Sequence, residues 1–126
     1  MKSNLFQCLL VSVALLLASG TGCSKSGANQ AILDPSKVPE TVNNAFSNAP
    51  GETKEAAASC VASFQSQDTA AAFSKLRQMS DRHDLTPQQR QAVAKALQTT
   101  FLQMQTAAQN GYTAAQATMH NYLSTR

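Results

Sequence analysis

The chain has 126 residues, which is enough for one small domain. Ten lysines and arginines against seven acids give it a formal net charge of +3. The two signs are interspersed, no basic cluster is present and only 6% of the residues are aromatic, so the composition argues against a nucleic-acid partner.

The first feature along the chain is a largely apolar run over residues 5–18, which follows a single Lys2. The run is shorter than the roughly 20 residues of a membrane-spanning helix, but it has the length and the flanking charge of an export signal. Small residues lead from it to Cys23. We therefore predict that residues 1–22 are a signal peptide and are removed.

Two cleavage sites fit this segment. The Ala-x-Ala-like stretch Ala18-Ser19-Gly20 suits ordinary signal peptidase, which would release a soluble periplasmic protein. The stretch Gly20-Thr21-Gly22-Cys23 resembles the lipobox of bacterial lipoproteins, although that family usually has an apolar residue where Gly20 stands. The resemblance implies that Cys23 is acylated, becomes the new N-terminus and anchors the protein to a membrane. Ser24 after it implies the outer membrane, if the host has one.

Polar and small residues with one proline, Pro35, separate Cys23 from the first helical pattern. This composition predicts a lipid-anchored flexible linker over residues 23–37 and one helical domain over residues 38–126.

The three cysteines have different predicted roles. Cys8 lies in the signal, and Cys60 lies among apolar residues at helical spacing, which predicts a small buried side chain rather than a reactive thiol. With Cys23 acylated, no intrachain disulfide is expected. Without the lipid, Cys23 and Cys60 are both available to pair in an oxidising compartment.

The domain contains five helical patterns and no sustained alternation of the kind that predicts a strand. The predicted helices start at Pro39 and end before Ala49, and then cover approximately residues 52–66, 69–80, 87–109 and 112–124. The fourth has the clearest boundaries, because Thr86, Pro87 and Gln89 match a capping box and Gly111 suits the residue that ends a helix. The expected fold is all-α, a small antiparallel helical bundle or helix-hairpin stack of four to five helices.

Apolar spacing also predicts which side chains face inward. These are Val42, Ala45 and Phe46; Ala57, Cys60, Val61 and Phe64; Thr69, Ala72, Phe73, Leu76 and Met79; Val93, Leu97, Phe101, Met104 and Ala108; and Tyr112, Ala115, Met119, Tyr122 and Leu123. Seven glutamines are predicted to line the outer face of the fourth helix, as wet surface or as a contact face for a partner: Gln88, Gln89, Gln91, Gln98, Gln103, Gln105 and Gln109.

The third and fifth helices carry similar patterns 43 residues apart. The pattern Gly111-Tyr112-x-x-Ala115-x-x-x-Met119 resembles the second half of a tetratricopeptide repeat, in which an aromatic, an alanine and a large apolar residue recur at that spacing. The resemblance implies a two-unit adaptor built from helix hairpins.

The strongest candidate for chemistry is Asp81-Arg82-His83-Asp84, where two carboxylates flank an imidazole as in some metal or acid-base sites. In a turn between helices, such a run more often forms solvated surface. His120 lies on a different element, and no nucleophile with a neighbouring base is present in the sequence. We predict no catalytic residue, metal, cofactor or small-molecule substrate. The predicted role is a non-catalytic interaction module that is anchored through Cys23 and has another envelope protein as its candidate partner.

Overall fold

The computed structural model describes residues 32–125; the predicted signal and Cys23 lie outside this range. A short 3-10 turn, Pro35–Lys37, precedes five α-helices. They are α1 (Val38–Phe46), α2 (Gly51–Gln65), α3 (Thr69–Ser80), α4 (Pro87–Gln109) and α5 (Thr113–Ser124). No strand occurs in residues 32–125, and the predicted all-α bundle is confirmed.

Local capping residues fix the ends of α4, as predicted. The Thr86 hydroxyl accepts a hydrogen bond from the Gln89 amide at 3.2 Å, and the Gln89 side chain accepts one from the Thr86 amide at 3.0 Å. At the other end Gly111 has a φ of +87°, and the amide of Tyr112 donates to the carbonyl of Ala107. This left-handed residue reverses the chain into α5.

The helices α1 to α4 form a closed ring in which each packs against two neighbours. Neighbouring helices run antiparallel: Thr53 at the start of α2 bonds to Asp84, just beyond α3, while Gln89 at the start of α4 reaches the carbonyl of Ala45, near the end of α1. The core inside the ring consists of Val38, Val42, Phe46, Ala57, Cys60, Leu76, Met79, Leu85, Val93 and Ala96.

The helix α5 lies outside this ring, against α4 and α3. It is joined to them by a cluster of three aromatic rings, in which Tyr122 meets Phe73 edge-on at 5.4 Å and Phe101 at 5.8 Å between ring centroids. The guanidinium of Arg77 lies 4.9 Å from the Tyr122 ring centroid. A helix packed on one side buries only a narrow stripe, so the inward prediction is wrong for Tyr112 and Leu123, which are both exposed.

The buried face of α4 differs from the predicted stripe. Leu97 and Phe101 are only half-buried, whereas Thr99 and Gln89 are buried. The prediction that Gln89 lies on the outer face is wrong, because its side chain accepts a hydrogen bond from the Thr86 amide and donates one to the Ala45 carbonyl, which places it in the contact between α1 and α4.

Packing begins before residue 38. The Asp34 carboxylate caps the 3-10 turn by accepting a bond from the Ser36 amide, and Leu33 packs against the core. The Thr99 hydroxyl donates to the Leu33 carbonyl at 3.2 Å. The last residues of the stretch predicted to be linker therefore belong to the ordered domain.

Candidate functional site

A shallow groove of about 460 Å³ lies where the chain enters the domain. It is bounded by the segment before α1, the start of α3, the C-terminal half of α4 and the turn into α5. Its lining consists of Ile32, Leu33, Pro35, Thr69, Thr99, Leu102, Gln103, Thr106, Ala107, Asn110 and Tyr112. We call these eleven residues the groove, and the end of the bundle that carries them the groove end.

Three features of the fold build the groove. The Thr99 hydroxyl holds the backbone of Leu33 against α4, which places Ile32 at the rim. The turn at Gly111 places Tyr112 at the opposite rim, where 66% of its surface is exposed. Leu102 projects from the outer side of α4 between them and is 38% exposed.

The groove also contains an unsatisfied polar atom. The side-chain oxygen of Gln103 is buried and has no hydrogen-bond partner within residues 32–125. Buried polar atoms are paired in most proteins, and an unpaired one costs roughly 1–3 kcal/mol.

The opposite end of the bundle carries the sequence candidate for a metal or acid-base site. The Arg82 guanidinium forms two bonds to the Asp84 carboxylate, at 2.9 and 3.0 Å, and one bond each to Glu52 and Thr53. These bonds tie the loop between α3 and α4 to the start of α2. We call this region, residues 47–53 and 81–90, the capped end.

The charges at the capped end stabilise one another rather than form a reactive site. Hydrogen bonding from Arg82 lowers the pKa of Asp84 from 3.8 to about 2, and the bonds to Asp84 and Glu52 raise the pKa of Arg82. His83 is exposed and His120 lies on α5, so the structure does not bring the two imidazoles together. No group of three metal-ligating side chains was found among residues 32–125.

Cys60 is buried between α2 and α3, with its sulfur 3.8 Å from the Ala72 carbonyl oxygen. Burial raises the pKa of this thiol to about 11, and the opposing effect of the Lys75 charge is smaller. A thiol that stays protonated at neutral pH is a poor nucleophile. The predicted buried side chain is confirmed, and burial together with the raised pKa disfavours reaction of the thiol in the folded domain.

No family model, curated protein or solved structure matches this chain. The resemblance to a tetratricopeptide repeat and the lipobox at Cys23 stay predictions. None of the helices within residues 32–125 combines the length and the apolar character needed to cross a membrane.

The groove was missed at the sequence level. Two signals were available: the apolar pair Ile32-Leu33 at the end of a polar stretch, and Leu102, which lies beside the predicted stripe of α4 rather than on it. Neither signal locates a groove by itself, because its lining comes from segments that only the tertiary fold brings together.

Proposed function

We propose that this protein is a bacterial lipoprotein, anchored in the cell envelope through lipid on Cys23, and that its helical domain is a non-catalytic interaction module. The observation that carries the proposal is the short apolar segment over residues 5–18, followed by small residues and then by a cysteine. A thiol at that position has a defined chemical use, since the resemblance to the lipobox implies its acylation.

The start of the ordered domain supports this arrangement. Residues 24–31 separate Cys23 from the first described residue, and Leu33 already packs against the core. The anchor would hold the domain in a thin layer at the membrane. Such confinement raises the effective concentration for partners in the same layer, so weak contacts suffice.

The non-catalytic role is supported by what the polar residues do. Arg82 and Asp84 hold a loop against α2, and the Cys60 thiol is packed between helices with a raised pKa. These residues, which were the strongest candidates for chemistry, have structural uses.

The test is the intact mass of the protein recovered from membranes of expressing bacteria, for wild type, Cys23→Ala and Cys60→Ala. We expect the wild type and Cys60→Ala to start at Cys23 and to carry acyl mass. Cys23→Ala should lack that mass and leave the membrane fraction. Cys60→Ala is the matched control, because it also removes one cysteine but not the modified one.

A second candidate is a soluble periplasmic helical binding or stress protein, which the Ala18-Ser19-Gly20 site favours. A wild-type chain that starts at Thr21 and carries no lipid would replace the lipoprotein proposal with this one. In that case, a disulfide between Cys23 and Cys60 would require the contact between α2 and α3 to open, because Cys60 is fully buried.

A further inference from the structure

The apolar exposure of the described domain is concentrated at the groove. Four large apolar or aromatic side chains are well exposed within residues 32–125, and three of them, Ile32, Leu102 and Tyr112, line the groove. The fourth, Leu123, lies near the far end of α5. Exposed apolar residues that cluster, rather than scatter, mark a contact surface.

The groove is also free of formal charge. Its polar lining is made of threonines, Asn110, the amide of Gln103 and the hydroxyl of Tyr112, and none of its eleven residues is an acid, a lysine, an arginine or a histidine. Three other surface depressions described by the structure each contain a cation: Arg77 in one, Lys75 and Arg82 in another, and Lys95 in the third. The side chains that line the groove would therefore enter a less polar medium without desolvating an ion, whereas the exposed carboxylates of Asp34 and Asp68, which adjoin lining residues in the chain, have to stay in water.

The position of the groove along the chain indicates what covers it. Nine peptide steps lead from Cys23 to Ile32, which is itself part of the groove. At roughly 3.3–3.6 Å per residue, they span at most about 30 Å. Leu33 is held at Thr99, near the middle of α4, and the start of α4 at the capped end lies about 18 Å farther along that helix, at 1.5 Å per residue.

We propose that the groove is the face through which the domain lies on the bilayer surface, an inference that rests on the lipid anchor of the proposed function. The side chains of Ile32, Leu102 and Tyr112 enter the headgroup region. Tyr112 suits this depth, since a tyrosine ring places an apolar body below and a hydroxyl towards water. Threonine and asparagine side chains at the rim keep hydrogen bonds with headgroups and water.

This placement leaves the capped end, with its charged residues, directed away from the membrane. A second copy of the chain or an envelope protein is a less suitable occupant of the groove, because the tether joins the domain at this face and keeps it nearer to the bilayer than the capped end. A second copy is a distinguishable outcome of the following experiment, and a groove kept for an envelope protein would leave position 112 unquenched in vesicles that contain no other protein.

The chain has no tryptophan, so a single introduced one reports on its own surroundings. The lipidated full-length mature protein is prepared as Tyr112→Trp and, as the matched control, Leu123→Trp, because both native side chains are similarly exposed, at 66% and 59%. Each is reconstituted into phosphatidylcholine vesicles with plain or brominated acyl chains. Intact mass establishes acylation of each preparation, and flotation establishes vesicle binding.

We expect bromine to quench the Tyr112→Trp emission about twofold and the emission to shift to the blue, as for a side chain buried 5–10 Å into the interface. The Leu123→Trp emission should change little. Adding Ile32→Asn and Leu102→Asn to the Tyr112→Trp protein should remove the quenching, while flotation and the helical circular dichroism stay unchanged.

Each other outcome has a definite meaning. Acylated, vesicle-bound protein without quenching at position 112 overturns the inference and leaves the lipoprotein proposal intact. A blue shift that grows with the density of protein on the vesicles, without quenching, points to a second copy in the groove. That outcome also overturns the inference. Equal quenching at both positions shows that the domain has no preferred face. A chain without acyl mass on Cys23 overturns the proposed function and, with it, this inference.

Discussion

The two ends of the bundle differ in how their side chains are paired and in which of them stay exposed. At the capped end, Arg82 and Asp84 pair with each other and with neighbours on α2, and the capping box at Thr86 satisfies the first amides of α4. At the groove end, apolar side chains stay exposed and the oxygen of Gln103 has no partner in the described domain. Contacts within the domain thus account for the charged residues of the capped end, whereas the groove end retains exposed apolar side chains suited to an external contact.

The largest expected change in the free energy of unfolding comes from truncating a buried side chain of α4, as compared with an exposed one on the same helix. Met104 is fully buried under the groove, and Met104→Ala should lower the free energy of unfolding by about 2–5 kcal/mol. Its matched control is Leu102→Ala on the same helix, which should cost less than about 1 kcal/mol because Leu102 is partly exposed. Urea unfolding of residues 23–126, with Cys23→Ala as background, measures both. Equal losses would show that the groove rim serves folding.

A smaller effect concerns the bond that holds the groove rim in place. Thr99→Val keeps the shape of the side chain but removes the donor to the Leu33 carbonyl, so stability should fall by about 1 kcal/mol. Thr106→Val is the control, since that exposed hydroxyl bonds only to its own helix, at Leu102, and its loss should stay within about 0.5 kcal/mol. Amide hydrogen exchange should also accelerate in the segment around Leu33. Unchanged exchange there would mean that other contacts hold the rim.

A third variant at the groove end should raise the free energy of unfolding instead of lowering it. Gln103→Met removes the unpaired oxygen and keeps the length of the side chain, so the free energy of unfolding should rise by up to about 1 kcal/mol. Gln105→Met, at an exposed position of the same helix, should change it by less than about 0.5 kcal/mol. A destabilising Gln103→Met would show that the oxygen takes a hydrogen bond in solution and that the polar groups of both ends are paired.

The smallest effect belongs to the capped end and depends on pH. Because the folded pKa of Asp84 is about 2, below its ordinary 3.8, its contribution is fully present above about pH 4 and is lost as pH falls towards 2. The Tm of the wild type should therefore fall more between pH 4 and pH 2 than that of Asp84→Asn. The difference should be small and should shrink in high salt, because the pair is partly exposed. Parallel curves for the two proteins would show that the pair adds no stability.

The helix boundaries were predictable because local chemistry sets them. The capping box at Thr86 and Gln89, the cap at Asp68 and the left-handed Gly111 act over a few residues, and each is visible in the sequence. The bundle follows from such elements, since short turns force neighbouring helices to run antiparallel.

The buried faces were less predictable, for a physical reason. The helix α4 contacts α1 near its start and α5 near its end, and the direction of burial changes along its length, so a single apolar stripe cannot describe it. Gln89 and Thr99 are buried because they bond to Ala45 and Leu33 on distant segments. The groove depends on such long-range contacts, so neither its shape nor its uncharged lining follows from any one segment.

The burial of Cys60 provides a natural reporter of motion. In the lipoprotein that we propose, Cys8 leaves with the signal and Cys23 is acylated, so Cys60 is the single free thiol of the mature chain. Because it is enclosed between α2 and α3, an alkylating reagent reaches it only when these helices separate. The rate at which the untagged protein is labelled in living cells therefore measures how often the domain opens in its native layer.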